Sequence, residues 1–196
     1  MTNETWTWDK SYDIYWGIPS KDTFYYLYTW KRNGMEKILD VGAGNGRHSF
    51  LFAENGFDVT AFDNSRTGLE FIKNKIKVSK ELKFTTVQGD MHEMPFLENS
   101  FDAMIAYHTI YHTDLKGINK IIQEIERVIK HNGEVFLTLL SKEDDFYKSE
   151  FLNQSSKNTI IKIEEGMKIP HLFLDKDEIF DLFSRFQIIE IRHIYE

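Results

Sequence analysis

The chain has 196 residues, of which 41% are hydrophobic and 28% charged, and a formal net charge of −7. This size and apolar content suffice for one core, so we expect a single domain over residues 1–196. The acidic balance disfavours a nucleic-acid partner, which needs a positive surface. The sequence has no cysteine, which excludes disulfides, thiolate catalysis and cysteine-ligated metal.

No apolar run approaches the roughly 20 residues that a transmembrane helix needs. The polar start MTNETWTWDK also lacks the basic and apolar regions of a signal peptide. We therefore expect a cytoplasmic protein without a membrane partner. We expect it to be a monomer or a homodimer.

Residues 1–34 are rich in aromatic side chains and contain all four tryptophans. Four residues of this segment recur at helical spacing, which predicts a helix whose apolar members pack on a sheet. These are Phe24, Leu27, Tyr28 and Lys31. The alternative is a lid whose aromatic faces stabilise a bound cation. The residues that would form this lid are Trp8, Tyr12, Tyr15 and Trp16.

From residue 35 onward, strand-like runs alternate with helix-like runs. The predicted strands are 37–41, 57–62, 83–88, 101–107 and 134–140. The predicted helices are 45–55, about 64–77, and one from about 115 to a stop signal at 131–133. Repeated units of this kind with apolar strands are typical of a parallel sheet covered by helices on both faces.

The last of these helices has the clearest pattern. Its apolar residues step by three and four, which places all of them on one face. They are Ile118, Ile121, Ile122, Ile125, Val128 and Ile129. Asp114 is the predicted N-cap residue.

The end of the chain departs from this alternation. Residues 141–157 are polar and irregular, which predicts a loop or lid. Beyond them we predict a strand at 159–163, a segment at 171–174, a helix at about 175–184 and a last strand at 187–194. We expect residues 35–140 to form the core, 1–34 a cap or lid, and 141–196 the lid loop and one sheet edge.

The stretch ILDVGAGNGRHSF places Gly42, Gly44 and Gly46 where a strand turns into a helix. Glycines allow the backbone to approach a ligand, and a helix N-terminus offers unpaired N–H groups. The third glycine comes one residue earlier than in a dinucleotide-binding loop, and Arg47 takes its place. No Gly-Lys-Ser/Thr follows, which excludes a Walker loop.

Acidic residues follow at the strand ends. Asp63 comes about twenty residues after the loop, where a carboxylate can accept both hydroxyls of a ribose. The alternative for Asp63 is a helix N-cap, a role that Asn64 or Ser65 could fill. Asp90 could accept from an exocyclic amine, as in adenine, while the Met91 N–H donates to a ring nitrogen.

Together these motifs resemble class I S-adenosylmethionine-dependent methyltransferases. The resemblance rests on DVGAGNG (40–46), Asp63, the GDM of residues 89–91 and PFLENSFDAMIAYHTIYH (95–112), and it covers roughly residues 36–140. The run NGRHSFLFAENGFDVTAFDNS also resembles the tellurite-resistance branch and its small-molecule relatives. The resemblance implies a Rossmann-like, doubly wound, seven-stranded sheet that is mostly parallel, with an antiparallel C-terminal strand.

The resemblance implies S-adenosyl-L-methionine as the cofactor. Gly42 and Gly44 would lie under the methionine moiety, Asp63 on the ribose, and Asp90 with Met91 on the adenine. Asp40, a charge inside the first strand, would orient the amino group, and Arg47 would reach the carboxylate. The other predicted cofactor contacts are Tyr12, Ala43, Gly46, Asn64 and Tyr107.

The stretch YHTIYH (107–112) follows the fourth strand, where acceptors bind in such folds. His108 or His112 could position or deprotonate an acceptor, or could be structural. With Asp114 their spacing is also compatible with a metal site, but we predict no metal.

The absence of an Asn-Pro-Pro-Tyr-like tetrapeptide after this strand, and of cysteine, favours a small-molecule acceptor. We therefore predict methyl transfer to a small molecule by in-line displacement. The alternatives are a nicotinamide-dependent Rossmann oxidoreductase and a non-catalytic adenosylmethionine-binding module.

Overall fold

The computed structural model describes residues 17–77, 81–149, 157–164 and 166–194. Five strands form a parallel sheet in the order β3-β2-β1-β4-β5. They are β1 (Lys37–Val41), β2 (Asp58–Asp63), β3 (Phe84–Gln88), β4 (Phe101–Ala106) and β5 (Ile129–Leu137). The predicted α/β class and Rossmann-like parallel sheet are confirmed.

Helices cover both faces of this sheet. They are α1 (Lys21–Arg32), α2 (Arg47–Glu54), α3 (Arg66–Ile76) and α4 (Leu115–Val128). Successive residues of a strand point to opposite faces. In β4, Ala103 and Ile105 share a core with α1 and α2 residues, whereas Met104 and Ala106 share one with α4 residues. The sheet is therefore doubly wound.

Helix α4 buries the apolar face that its sequence predicts. All six members of the stripe are buried, and the Asp114 carboxylate accepts from the Gly117 N–H at 2.7 Å as the N-cap. The predicted stop at 131–133 is wrong, because α4 ends at Val128 and β5 begins at Ile129. The strand absorbs these residues through a register shift, with Asn132 at a φ of 62°.

Helix α1 presents a face to the sheet that differs in part from the one predicted: of the predicted apolar residues, Leu27 packs on the core. Trp30 is fully buried and its indole N–H donates to Glu134 Oε2 at 2.9 Å. Tyr26 packs beside it, whereas Phe24 and Tyr28 are half or more exposed. A buried tryptophan gains much apolar contact when its N–H is also paired, so this face turns to the sheet.

A second, three-stranded sheet has the order β6-β8-β7. Its strands are β6 (Leu140–Ser141), β7 (Thr159–Glu164) and β8 (Met167–Leu174), and two helices, α5 (Asp145–Ser149) and α6 (Lys176–Leu182), accompany them. β8 pairs parallel with β6 and antiparallel with β7. The prediction of a single seven-stranded sheet is therefore wrong in strand number and arrangement.

The predicted last strand is also wrong, because residues 187–194 adopt no strand. Ile188 packs partly buried on the core, but the other isoleucines of the segment are exposed, Ile189 by 78%. The segment instead lies against α1, where Arg192 pairs with Asp22 at 2.9 Å.

None of the helices in the described ranges combines the length and apolarity that a membrane span requires. The division of the chain into a cap, a core and a lid stays a prediction.

Candidate active site

The glycine loop joins β1 to α2 at the carboxyl edge of the parallel sheet. Gly42, Gly44 and Gly46 have φ values of 71°, 55° and 86°, a region that side chains disfavour. A Cβ on Gly42 would lie 2.1 Å from Thr109 Oγ1. The loop therefore needs glycine for its backbone shape and for its contact with the segment after β4.

The loop's N–H groups donate within the protein. Those of Gly42 and Ala43 donate to the Phe62 carbonyl oxygen at 2.8 and 3.2 Å. That of Gly44 donates to Asp63 Oδ2 at 2.7 Å. A loop that binds pyrophosphate offers its amides to phosphate oxygens. This arrangement favours a ligand without phosphates and weighs against the nicotinamide alternative.

Asp63 lies at the end of β2 beside the glycine loop. Besides the bond from Gly44, its Oδ1 accepts from the Ser65 N–H at 2.7 Å. Ser65 itself caps α3 by accepting from the Gly68 N–H at 3.4 Å. Burial raises the pKa of Asp63 although these hydrogen bonds lower it. The carboxylate is thus placed between loop and helix, and the cap role belongs to Ser65.

Asp40 lies in β1 and is 2% exposed. The Ser49 hydroxyl of α2 donates to its Oδ2 at 2.5 Å. Burial raises the pKa of Asp40 to about 6. The buried acid therefore has a hydroxyl partner, and it titrates close to neutral pH.

Asp90 follows β3, the neighbour of β2. Its Oδ1 accepts from the His92 N–H at 2.9 Å and lies 2.5 Å from the ring Nδ1 of His92. The other ring nitrogen of His92 lies 3.0 Å from Thr113 Oγ1. Burial acts to raise the pKa of Asp90, but the hydrogen bonds from His92 outweigh it and hold the pKa below its usual value. His92 and Thr113 join the candidate site through Asp90, a connection that the sequence did not reveal.

Tyr107 follows β4 and is surrounded by polar and aromatic groups. The Arg47 guanidinium lies 5.2 Å from its ring centroid, and His48 meets the ring edge-on at 5.1 Å. Arg47 also donates to the Ile18 carbonyl oxygen at 3.3 Å. His48 Nε2 accepts from the Ser20 N–H at 3.2 Å, and burial lowers the pKa of His48 to about 3. His48, which the sequence analysis missed, connects the segment before α1 to this edge.

The two predicted acceptor histidines have different neighbours. His108 has a φ of 55°; its N–H donates to Thr138 Oγ1 at 2.8 Å, and its Nδ1 lies 3.1 Å from the Tyr111 hydroxyl. The ring of His112 lies 4.8 Å from that of His171 in β8. Burial, with the neighbouring His171 charge, lowers the pKa of His112 to about 3.

Of the remaining predicted cofactor contacts, some lie in the part of the chain that the structure describes and others lie outside it. Asn64 adjoins Asp63, and its carbonyl oxygen accepts from Gln88 Nε2 at 3.0 Å. Met91 is partly buried against the core beside Asp90. Tyr12 and the other lid candidates lie outside the described residues, so the lid stays a prediction.

A family model described as a methyltransferase domain matches residues 39–137, half of the chain. The chain belongs to this family. The match confirms the family predicted from the glycine loop and the two strand-end carboxylates. Membership of the tellurite-resistance branch stays a prediction.

This methyltransferase domain is similar to longer curated proteins. A sterol 24-C-methyltransferase of Gibberella zeae is 34% identical over 148 residues, which are 69% of this chain and 36% of that protein. A ubiquinone/menaquinone biosynthesis C-methyltransferase of Rickettsia peacockii is 31% identical over 137 residues, which are 64% of this chain and 53% of that protein. The chain thus spans about a third to a half of the length of these two relatives.

Among solved structures, an S-adenosylmethionine-dependent methyltransferase from Methanosarcina mazei superposes with a TM-score of 0.67. The match covers 76% of this chain and 78% of that chain at 20% identity. At this identity the likeness shows the fold.

Proposed function

We propose that this methyltransferase domain transfers the methyl group of S-adenosylmethionine to a small-molecule acceptor by in-line displacement. The observation that carries the proposal is the placement of the glycine loop, Asp63 and Asp90. They follow β1, β2 and β3, which are neighbours in the parallel sheet. Carboxyl ends of parallel strands meet at one edge, so the three features face one ligand.

The chemistry of these groups fits an adenosyl ligand. Each oxygen of a carboxylate can accept more than one hydrogen bond. Asp63 can therefore bind ribose hydroxyls while keeping its bonds from Gly44 and Ser65. Asp90 has an exposed carboxylate and can accept from the adenine amine. Asp40 is the acidic group next to the loop, and an ammonium group nearby would favour its ionised form.

Methyl transfer from a sulfonium needs alignment more than acid–base chemistry. The acceptor atom must approach the methyl carbon to about 3–3.5 Å with water excluded. His108, whose strained backbone conformation holds it after β4, is our candidate for positioning the acceptor or removing its proton. The aromatic rings of Tyr107 and Tyr111 favour an acceptor with an apolar body. The two similar proteins named for sterol and for ubiquinone/menaquinone biosynthesis support the same class.

The test is calorimetric titration of the purified chain with S-adenosylmethionine, S-adenosylhomocysteine and NADH in parallel. We expect micromolar binding of the first two and none of NADH. Binding of NADH alone would overturn the proposal and favour the oxidoreductase. Transfer of a labelled methyl group to a panel of quinone, phenol, thiol and amine acceptors then tests catalysis; cofactor binding with no transfer to any acceptor would favour a non-catalytic module.

A further inference from the structure

Three side chains with metal-binding atoms meet beside the loop after β4. They are His112 from that loop, Glu164 from β7 and His171 from β8, and one ligand atom of each lies within 4.8 Å of the others. His171 is buried, and the other two are half-buried. Imidazole nitrogen and carboxylate oxygen are a donor set that Zn²⁺ uses with three protein ligands.

The hydrogen bonds of His171 define which of its atoms faces the cluster. Its Nδ1 lies 3.1 Å from the Ile169 carbonyl oxygen, which can only accept, so Nδ1 carries a proton. In the neutral ring Nε2 then carries a lone pair, and it lies 3.2 Å from Glu164 Oε1. Two acceptors at this distance need a cation between them. A carbonyl partner on the far nitrogen is also the arrangement that orients metal-binding histidines.

The cation could be a second proton on His171 or a metal ion. A shared proton involves only two groups, whereas a ring nitrogen of His112 also lies within 4.8 Å of the other two ligand atoms and supplies a third donor. The three-donor arrangement therefore favours the metal ion.

The main chain aligns the segments that carry these side chains. The Leu172 N–H donates to the Tyr111 carbonyl oxygen at 2.8 Å, so the residues next to them, His171 and His112, are neighbours. Antiparallel pairing of β7 with β8 brings Glu164 into the same small sheet. In that pairing Ile160 lies opposite His171 and Glu164 opposite Met167, so Glu164 reaches His171 through its side chain. The main chain thus brings the two histidines together without an ion.

We propose that His112, Glu164 and His171 form a Zn²⁺ site with an open fourth position. Zinc lies about 2.0–2.2 Å from such ligands, so their atoms must come within roughly 3–4 Å of one another. Movements of about an ångström from the present positions would suffice. The proposal departs from our expectation of no metal. It also differs from a group of His108, His112 and Asp114, because Asp114 caps α4.

The open fourth coordination position would allow the ion to bind the methyl acceptor, a role that rests on the proposed function. An acceptor oxygen or sulfur bound to zinc loses its proton to solvent more readily. In the transfer step the bond between the sulfonium sulfur and the methyl carbon breaks as the bond from carbon to the acceptor atom forms. The products are the methylated acceptor and neutral S-adenosylhomocysteine.

The experiment is titration of the purified chain with Zn²⁺, and with Co²⁺ as a spectroscopic probe, without S-adenosylmethionine. We expect one ion per chain, visible cobalt absorption and a raised melting temperature. Glu164→Gln and His112→Gln should each weaken Zn²⁺ affinity by roughly 100-fold or more. Loss of a residue that only hydrogen-bonds a metal ligand already costs about 10–100-fold, and these two residues are ligands themselves. His131→Gln, at an exposed position of β5, is the matched control and should bind as the parent does.

Absence of a one-to-one complex with either ion would overturn the site. So would parent-like affinity in Glu164→Gln, or nitrogen NMR shifts showing both ring nitrogens of His171 protonated in the presence of Zn²⁺. Because the cofactor is absent, failure of this titration leaves the calorimetric test of S-adenosylmethionine binding unaffected. Failure of cofactor binding would likewise leave the metal site standing.

Discussion

Asp63 Oδ2 accepts a hydrogen bond from the Gly44 N–H at 2.7 Å, across 19 positions of sequence. The other carboxylate oxygen accepts from the Ser65 N–H at the same distance. One acidic side chain therefore connects the glycine loop after β1 to the start of α3. Its predicted role toward ribose and its contacts within the fold are served by the same two oxygens.

Replacement of this carboxylate tests the proposed ribose contact. Asp63→Ala should weaken S-adenosylmethionine binding by about 1–3 kcal/mol, because two hydroxyls lose a charged acceptor. Calorimetry on the folded variant measures the change. Ser65→Ala is the matched control: it should lower the free energy of unfolding by about 1 kcal/mol through loss of a helix cap and leave affinity nearly unchanged. Parent-like affinity in folded Asp63→Ala would show that the ribose lies elsewhere.

Two glycines with positive φ allow the cost of a steric clash to be measured separately from the cost of backbone strain. Gly42 has a φ of 71° and its added Cβ would meet Thr109, whereas Gly56 has a φ of 91° with nothing within 4 Å. Gly56→Ala should cost about 1–2 kcal/mol of unfolding free energy from the left-handed backbone alone. Gly42→Ala should cost a further 1–3 kcal/mol, roughly, from overpacking, and should reduce cofactor affinity. Denaturant unfolding measures both; equal losses would refute the contact with Thr109.

The buried carboxyl of Asp40 should make stability depend on pH. Burial raises its pKa from 3.8 to about 6, so between these values the folded state holds a proton that the unfolded state has released. Its stabilising contribution is therefore present below about pH 4 and is lost as pH rises through 6. The loss should be about 3 kcal/mol relative to Asp40→Asn, which does not titrate there. Urea unfolding of both proteins at about pH 4 and pH 7 measures it; a constant difference would contradict the raised pKa.

His108 can be changed without losing its backbone conformation. Asn tolerates the left-handed region, and the main-chain N–H can still donate to Thr138 in His108→Asn. We expect kcat/KM for methyl transfer to fall by roughly 10²–10⁴-fold if the imidazole is a general base, with cofactor affinity unchanged. His131→Asn serves as the exposed control. An unaltered rate and pH profile in folded His108→Asn would assign the ring a structural role.

The edge of the sheet at which the glycine loop and the two carboxylates lie could be predicted, because parallel topology leaves little freedom. Once a strand, a glycine turn and a helix repeat, Asp63 and Asp90 must follow adjacent strands and meet at one edge. The cap at Asp114 and the apolar stripe of α4 were equally readable, because both depend on residues close in sequence. Each of these features depends on the spacing of residues that are close in sequence.

The second sheet, with its residues Glu164 and His171, could not be predicted from local spacing. The isoleucines of residues 187–194 have a strand-like pattern, yet burial depends on what packs against them, and all but Ile188 stay exposed. His48 shows the same limit, since its partner Ser20 lies 28 positions away. The meeting of His112 with Glu164 and His171 depends on the pairing of β8 with the loop after β4. Local spacing in the sequence alone determined which edge of the sheet carries the glycine loop and the two carboxylates, whereas long-range pairing and packing, which have no sequence period, decided what lies around the loop after β4.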